Sequence, residues 1–308
     1  MVFMKKKEVL NLFKKQLYSE LQSRIKGTQT TFGFEIEYLP SCIIGLAHME
    51  KLYQLLPKLG FRYNGCHFIS DSGLFVTFEP GGQIEYYSPP LYSSDEVLFE
   101  DLLKCIETTN KRIFQVLNIK YVATGFIPGR ADAPLCIQTK RYTSLYDRLC
   151  RSGTRGKEMM KGTASIHLHV GFRSMNEILL VYRILAGFSK SNEFAMSKDR
   201  REVWNNTDPA RCNMPSINFN KVNTTEDLLE HLVHHALCSE DLYTNIPVYE
   251  LTDLDFDYFK THMTTIFTDV RLNLKGPTME LRTLDSMPLY DMKKKWKRFT
   301  SVFEQRLN

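Results

Sequence analysis

The chain has 308 residues, 43% of them hydrophobic and 24% charged, with a net charge of +5. That length buries a substantial core, and the composition is that of an ordinary soluble globule. The basic excess is too mild for a dedicated nucleic-acid binder and fits an enzyme for small anions; no apolar stretch suggests an export signal or a membrane span.

In chain order, residues 1–28 form an amphipathic helix whose pattern is broken by Lys14, Lys15, Glu20 and Arg24. A strand follows at 31–38, then a helix at 44–59 ended by Gly60 and Gly65, then strands and turns over 68–87. A helix at 94–117 opens with Ser94 as its cap and Asp95 and Glu96 in its first turn, and a strand returns at 121–126. Residues 138–161, rich in charge and glycine, are expected to cover the site. A strand at 163–171, a helix at 175–188, an arginine-rich loop at 189–220, helices at 225–237 and 255–264 and a strand around 279–282 complete the core. This mixture lacks regular βαβ alternation and predicts an α+β fold in a single domain, with a core at 29–290 and a basic helix at 291–308. Seven cysteines without a Cys-x-x-Cys pair indicate reduced thiols and a cytoplasmic protein.

The strand at 31–38 carries the main functional signal. Side chains alternate along a strand, so Phe34, Ile36 and Tyr38 share one face while Glu35 and Glu37 share the other. Two close ionised carboxylates repel by roughly a few kcal/mol even at an effective dielectric near 20, so water or a cation must lie between them. A Glu-x-Glu alone is more often the wet face of an antiparallel sheet. Here the pattern recurs: Ser165, His167 and His169 alternate with Ile166, Leu168 and Val170, and Glu280 and Arg282 alternate with Met279 and Leu281. Between Glu79 and Glu85, Pro80-Gly81-Gly82 predicts a sharp bend or bulge. Oxygen ligands with an imidazole suit magnesium or manganese better than zinc.

Other patterns read as structural. His231, His234 and His235 include an i,i+4 pair but no His-Glu-x-x-His motif, and both they and the run Lys293-Lys294-Lys295-Trp296-Lys297-Arg298 read as solvated helix faces. The cysteines have no adjacent base and read as packing residues.

The run 78–85 (Phe-Glu-Pro-Gly-Gly-Gln-Ile-Glu), then Arg141-Tyr142, Met159-Met160, the segment 200–211 with Trp204 and Asp208, and the run from Thr264 through Val270-Arg271-Leu272 to Met279-Glu280-Leu281-Arg282 resemble the plant-type glutamate–cysteine ligases. The order is preserved from about residue 32 to 287. The resemblance implies a glutamine-synthetase-like catalytic fold, a curved antiparallel sheet with helices on its convex side and ATP and magnesium on its concave face. It implies metal ligands at Glu35, Glu37, Glu79, Glu85 and Glu280, and phosphate contacts at Arg271 and Arg282. His167 and His169 depart from the plant pattern, which has glutamine and asparagine there; His167 is similar to a metal-associated histidine of bacterial branches. The run after residue 287 is short beside the plant enzymes, which leaves the amine substrate open.

A carboxylate condenses with an amine only after activation, and phosphoryl transfer from ATP to that carboxylate needs metals and arginines but no nucleophilic side chain. The expected inventory is therefore Glu35, Glu37, Glu79, Glu85, His167 and Glu280 on magnesium, or on manganese in its place. Arg271, Arg282 and Gln83 serve the nucleotide, with Arg282, Glu280 and Glu35 catalytic. Arg141, Arg200, Trp204, Arg211 and His169 meet the substrates, L-glutamate and a small amine, L-cysteine by default. The alternatives are an amidoligase for another amino acid, a polyamine or a peptide, and a non-catalytic nucleotide or polyanion binder. Neither a membrane nor a nucleic acid is an expected partner.

Overall fold

The computed structural model describes residues 6–212, 217 and 221–307. Residues 1–5 of the expected N-terminal helix, most of 213–220 in the arginine-rich loop and the final Asn308 lie outside them. The chain begins with α1 (Lys6–Arg24) and β1 (Phe32–Pro40), then α2 (Leu46–Leu55), extended by a tighter turn at Leu56–Leu59. Short strands β2 (Arg62–Tyr63), β3 (Phe68–Ile69), β4 (Phe75–Phe78) and β5 (Ile84–Tyr87) lead into α3 (Glu96–Leu117) and β6 (Tyr121–Val122). Next come α4 (Lys140–Ser152), α5 (Gly156–Gly162), β7 (Ser165–Gly171), α6 (Glu177–Phe188), α7 (Lys198–Asn205) and α8 (Thr225–Cys238). The chain closes with α9 (Phe256–Met263), β8 (Val270–Asn273), β9 (Thr278–Asp285) and α10 (Leu289–Leu307).

The strands form one antiparallel sheet in the spatial order β2-β3-β4-β5-β1-β7-β9-β8, with β6 on the far end of β1. The alternation in β1 decides what lies on each side. Phe32, Phe34, Ile36 and Tyr38 are buried, and α3 and α10 cover them. Phe34 meets Phe99 at 5.9 Å and Trp296 at 5.8 Å between ring centroids, and Phe99 stacks on Trp296 at 4.9 Å. Burying each such ring contributes roughly 1.5–3 kcal/mol, so the apolar face anchors β1 and leaves its opposite face for polar groups. Farther along, α1 joins α9 through Phe13 and Phe259 at 4.9 Å.

Three local expectations need correction. The helix expected from Ser94 starts at Glu96, and the Asp95 carboxylate accepts the N–H of Tyr92 (2.8 Å), so it secures the preceding turn rather than the first helical turn. The loop expected at 189–220 contains α7, whereas residues 138–161, expected to cover the site, do line it, as the two helices α4 and α5. Helices are also not confined to the apolar side. Leu149, Met159, Met160, Val203 and Trp204 from α4, α5 and α7 form a second apolar cluster, part of which walls the polar face.

Most of the remaining structural readings are consistent with the contacts. All seven cysteines are free thiols. In the basic run Lys293 pairs with Glu100, Lys294 with Asp291 and Arg298 with Glu193, so much of its charge is satisfied on the surface. The histidines depart from the solvated face in one case: His234 is exposed, but His235 is half-buried and bonds to the Ala210 carbonyl at 2.8 Å. Among the described residues no helix is long and apolar enough to cross a membrane.

Candidate active site

Strand register assembles the site. Residues directly opposite on antiparallel neighbours share a face: Glu37 faces Glu85 on β5, Glu35 faces His167 on β7, His169 faces Glu280 on β9, and Glu280 faces Arg271 on β8. Groups far apart in sequence thus become one row across the sheet. A β-bulge refines the row. Ile166 pairs with Leu284 but Leu168 pairs with Leu281, so β9 holds an extra residue across from His167. The bulge keeps Leu281 and Leu284 both on the apolar side and sends Arg282 into a cleft of about 280 Å³ that the row floors.

Hydrogen bonds lock the row. His167 Nδ1 lies 2.5 Å from Glu35 Oε2, and its Nε2 lies 2.7 Å from Ser165 Oγ. Ser165 donates its N–H (2.7 Å) and its hydroxyl (3.0 Å) to Glu37 Oε2. His169 Nε2 is 3.3 Å from Glu35 Oε1, an ion-pair contact without hydrogen-bond geometry, so Glu35 bonds one imidazole and faces the other. Glu280, fully buried, receives Arg271 Nε (2.5 Å) and Arg282 Nη1 (2.7 Å) on Oε1, while Oε2 faces His169 Nδ1 at 3.7 Å. Glu280 therefore aims both arginines with one oxygen and keeps the other toward the cluster.

The charges in this row are unevenly balanced. Burial would raise Glu35, yet the His169 and His167 imidazoles hold it well below the usual carboxylate range. Against the same burial, Arg271 and Arg282 hold Glu280 down at about 2. For Glu79 and Glu85 the balance is reversed: burial and then the neighbouring carboxylates outweigh Arg141 and Arg282, pushing Glu79 up to about 8 and Glu85 well above its ordinary value. Burial and the nearby Arg282 lower His167, whereas Glu35 outweighs burial and raises His169. The site holds more carboxylate than its own cations neutralise, which is the condition a bound divalent ion relieves. Ligand atoms of Glu35, Glu85 and His167 lie within 4.8 Å of one another, as do those of Glu35, His169 and Glu280. Oxygen donors with an imidazole fit magnesium or manganese.

The Glu79–Gln83 turn places one acid in the cleft. Glu79 N–H donates to the Gln83 carbonyl (2.9 Å) and Gly82 N–H to the Glu79 carbonyl (2.8 Å), with Gly82 at φ +80. Gln83 Oε1 accepts Gly81 N–H (2.8 Å), and its Nε2 donates to the carbonyls of Met160 (3.1 Å) and Thr163 (3.0 Å). Gln83, read from sequence as a nucleotide contact, thus has its amide committed to bracing the turn. A Cβ on Gly81 would sit 2.5 Å from Lys161 Cα and 2.6 Å from its carbonyl oxygen. Gly81→Ala is accordingly expected to destabilise the protein by about 1–3 kcal/mol, read by denaturant unfolding. A change within about 0.5 kcal/mol would show that the turn yields freely.

The substrate contacts divide. Arg141 and Trp204 line the cleft beside Tyr142, Leu145, Met159, Met160 and Phe267. Arg141 Nη2 donates to the Thr264 carbonyl (3.1 Å), while Arg141 Nε and Trp204 Nε1 are buried without a hydrogen-bond partner among the described residues. Tyr142 donates to Glu79 Oε1 (3.4 Å). His169 belongs to the buried row beneath the cleft. Arg200 and Arg211 do not line the cleft. Arg211, fully buried, pairs with Asp208 at 2.9 Å and donates to the Glu240 carbonyl. Arg200, 1% exposed, pairs with Asp285. The terminal nitrogens of both are committed to backbone and acid partners, as a buried guanidinium requires, and only their Nε atoms are without a hydrogen-bond partner among the described residues. Sequence reading singled out Asp208 without its pairing to Arg211, and missed Asp285 as a partner and Lys275 and His67 on the cleft lining. The adjacent Arg200-Arg201 pair signalled a need for acids, whereas a lone His67 offers no signal.

Residues 36–186 match the model of glutamate-cysteine ligase family 2. Among curated relatives, the chloroplastic glutamate–cysteine ligase A of Oryza sativa subsp. japonica is 22% identical over 311 residues, covering 86% of this chain and 60% of that protein. The chloroplastic glutamate–cysteine ligase of Nicotiana tabacum is 23% identical over 310 residues, covering 86% and 56%. The chain thus spans about 60% of the length of these relatives. The likeness read from motifs extends across most of the chain.

Proposed function

We propose that this chain, whose residues 36–186 match the model of glutamate-cysteine ligase family 2, is an ATP-dependent carboxylate–amine ligase that works as one catalytic unit with a glutamine-synthetase-like sheet. The observation that carries the reading is the register-matched row of Glu37, Glu85, Glu35, His167, His169 and Glu280, with Arg271 and Arg282 both anchored on Glu280. A binder without chemistry has no need for so costly an arrangement of buried acid.

Magnesium, or manganese, would be held by Glu35, Glu85 and His167 and by Glu35, His169 and Glu280, with Glu37 and Glu79 beside them; when bound it neutralises phosphate charge. Arg282 faces the space where the terminal phosphoryl passes from ATP to the γ-carboxylate of glutamate. ADP leaves, and the resulting acyl phosphate is attacked by an amine to give the γ-glutamyl amide and phosphate. Arg271 supports the nucleotide phosphates from the neighbouring strand. Arg141 offers a guanidinium to a substrate carboxylate. The apolar wall of Leu145, Met159, Met160, Trp204 and Phe267 excludes water from the acyl phosphate and accommodates a thiol-bearing side chain, which keeps cysteine the default amine.

Incubation with ATP, magnesium, L-glutamate and a panel of amines, followed by mass analysis, tests this reading. The expected products are ADP, phosphate and a γ-glutamyl amide, with cysteine the best acceptor. Tight nucleotide binding with no condensation on any amino acid, polyamine or peptide would favour a non-catalytic binder, and a preference for another amine would reassign the acceptor.

A further inference from the structure

Two consecutive arginines of α7 hold the strand segment that bears Arg282. The buried Arg200 guanidinium donates to the carbonyls of Arg282 (2.8 Å) and Leu284 (2.7 Å) and to Asp285 Oδ1 (2.9 Å). Arg201 makes a two-pronged pair with Asp269, both contacts at 2.9 Å, and the Asp269 carbonyl accepts the N–H of Arg282 at 2.9 Å. The carbonyl of Arg282 is thus gripped by one arginine, and the acceptor of its N–H is fixed by the next.

These contacts fall on the bulge in β9. A bulge that moved by one residue would exchange the faces of Arg282 and Thr283, because side chains alternate with period two. Thr283 is held too, its hydroxyl donating to the Phe194 carbonyl (2.6 Å) just before α7. The N-cap of α7 joins the same assembly, with Ser197 N–H donating to Asp285 Oδ2 (3.2 Å). One turn beyond Arg200, the same helix presents Trp204 to the cleft, its ring 5.7 Å from the Arg200 guanidinium carbon. The helix therefore fixes both a cleft wall and the register of the arginine opposite the acidic row.

We propose that Arg200 and Arg201 are positioning residues that lock the β9 bulge in the register directing the Arg282 guanidinium into the cleft. This inference rests on the phosphoryl-transfer reading given above. It predicts a rate defect without a matching defect in nucleotide binding, since misplacing a catalytic group by an ångström can slow chemistry by about a hundredfold.

The test uses Arg201→Gln and Asp269→Asn, which break the two-pronged pair but keep the Asp269 carbonyl; Arg201 is 28% exposed, which favours a folded variant. Arg200→Lys serves as the harsher probe. In the ligand-free protein, amide exchange over residues 281–284 is expected to quicken about tenfold in Arg201→Gln. Single-turnover ligation is expected to slow about tenfold with ATP affinity within about twofold, and to slow no further when Arg201→Gln is added to Arg282→Lys. Unchanged exchange would overturn the proposal, as would a rate loss that adds in full to Arg282→Lys or disappears on cooling. If the wild type makes no γ-glutamyl product with any amine, the ligase reading fails by itself, and the exchange measurement still decides whether the clamp exists.

Discussion

Arg282→Lys is expected to slow ligation by roughly two to three decades while changing ATP affinity only a few-fold. Arg282 is oriented on three sides: Nη1 donates to Glu280 Oε1, the same nitrogen lies 3.5 Å from His167 Nδ1, and the guanidinium carbon sits 5.9 Å from the Phe267 ring centre. Its Nε is buried with no hydrogen-bond partner among the described residues, so the planar fork retains a donor. Lysine preserves the charge that attracts phosphate in the ground state but not the fork that matches the transferring phosphoryl group. A contact made mainly in the transition state is worth about 2–4 kcal/mol, and each 1.4 kcal/mol is about a decade in rate. Single-turnover rates measured beside the ATP dissociation constant separate the effects. Equal losses in both would make Arg282 a binding residue only.

Glu35→Gln is expected to reduce turnover by about three decades or more and to remove most of the stabilisation that magnesium with nucleotide gives in a thermal melt. Glu35 is shared by both sets of ligand atoms able to hold an ion, and it bonds one imidazole and faces the other. Glutamine keeps its size and one acceptor oxygen but cannot supply the charge a hard cation requires. The ligand-free protein should melt a few degrees below the wild type, because the His169 and His167 imidazoles that hold Glu35 well below the usual carboxylate range lose their charged partner, while glutamine keeps its size and an acceptor oxygen. Wild-type ligand-induced stabilisation in Glu35→Gln would remove Glu35 from the cation site. A collapse of the ligand-free melt would mean that the row is structural first.

The acidic face was legible in the sequence because alternation with period two needs no knowledge of neighbours: Glu35-Ile36-Glu37 and His167-Leu168-His169 declare their faces by themselves. The mixed α+β character was legible for a similar reason, as the helices around 96–117 and 177–188 carry clear apolar periodicity. What lay beyond reach depends on pairing across the chain. The neighbours of β1 are β5 and β7, and only that order brings Glu85 and His167 onto opposite sides of the Glu35-Glu37 pair. The bulge in β9 leaves no mark in Met279-Glu280-Leu281-Arg282. Arg200 and Arg211 were read as substrate contacts because their charge is visible in sequence while most of their acceptors, Asp285 and the carbonyls of Arg282, Leu284 and Glu240, are distant or belong to the backbone; only Asp208, three residues before Arg211, lay in plain view. Gln83 lines the cleft as expected of a site residue, but its bracing role was out of reach, since its partners lie in the turn itself and on the α5–β7 junction.

The most direct measurement follows the oxygen atoms. L-glutamate carrying heavy oxygen in its γ-carboxylate, turned over with ATP, magnesium and the best amine, should deliver one labelled oxygen into the released inorganic phosphate, with ADP as the nucleotide product. Unlabelled phosphate, or AMP with labelled pyrophosphate or labelled AMP, would contradict activation of the carboxylate by the terminal phosphoryl group.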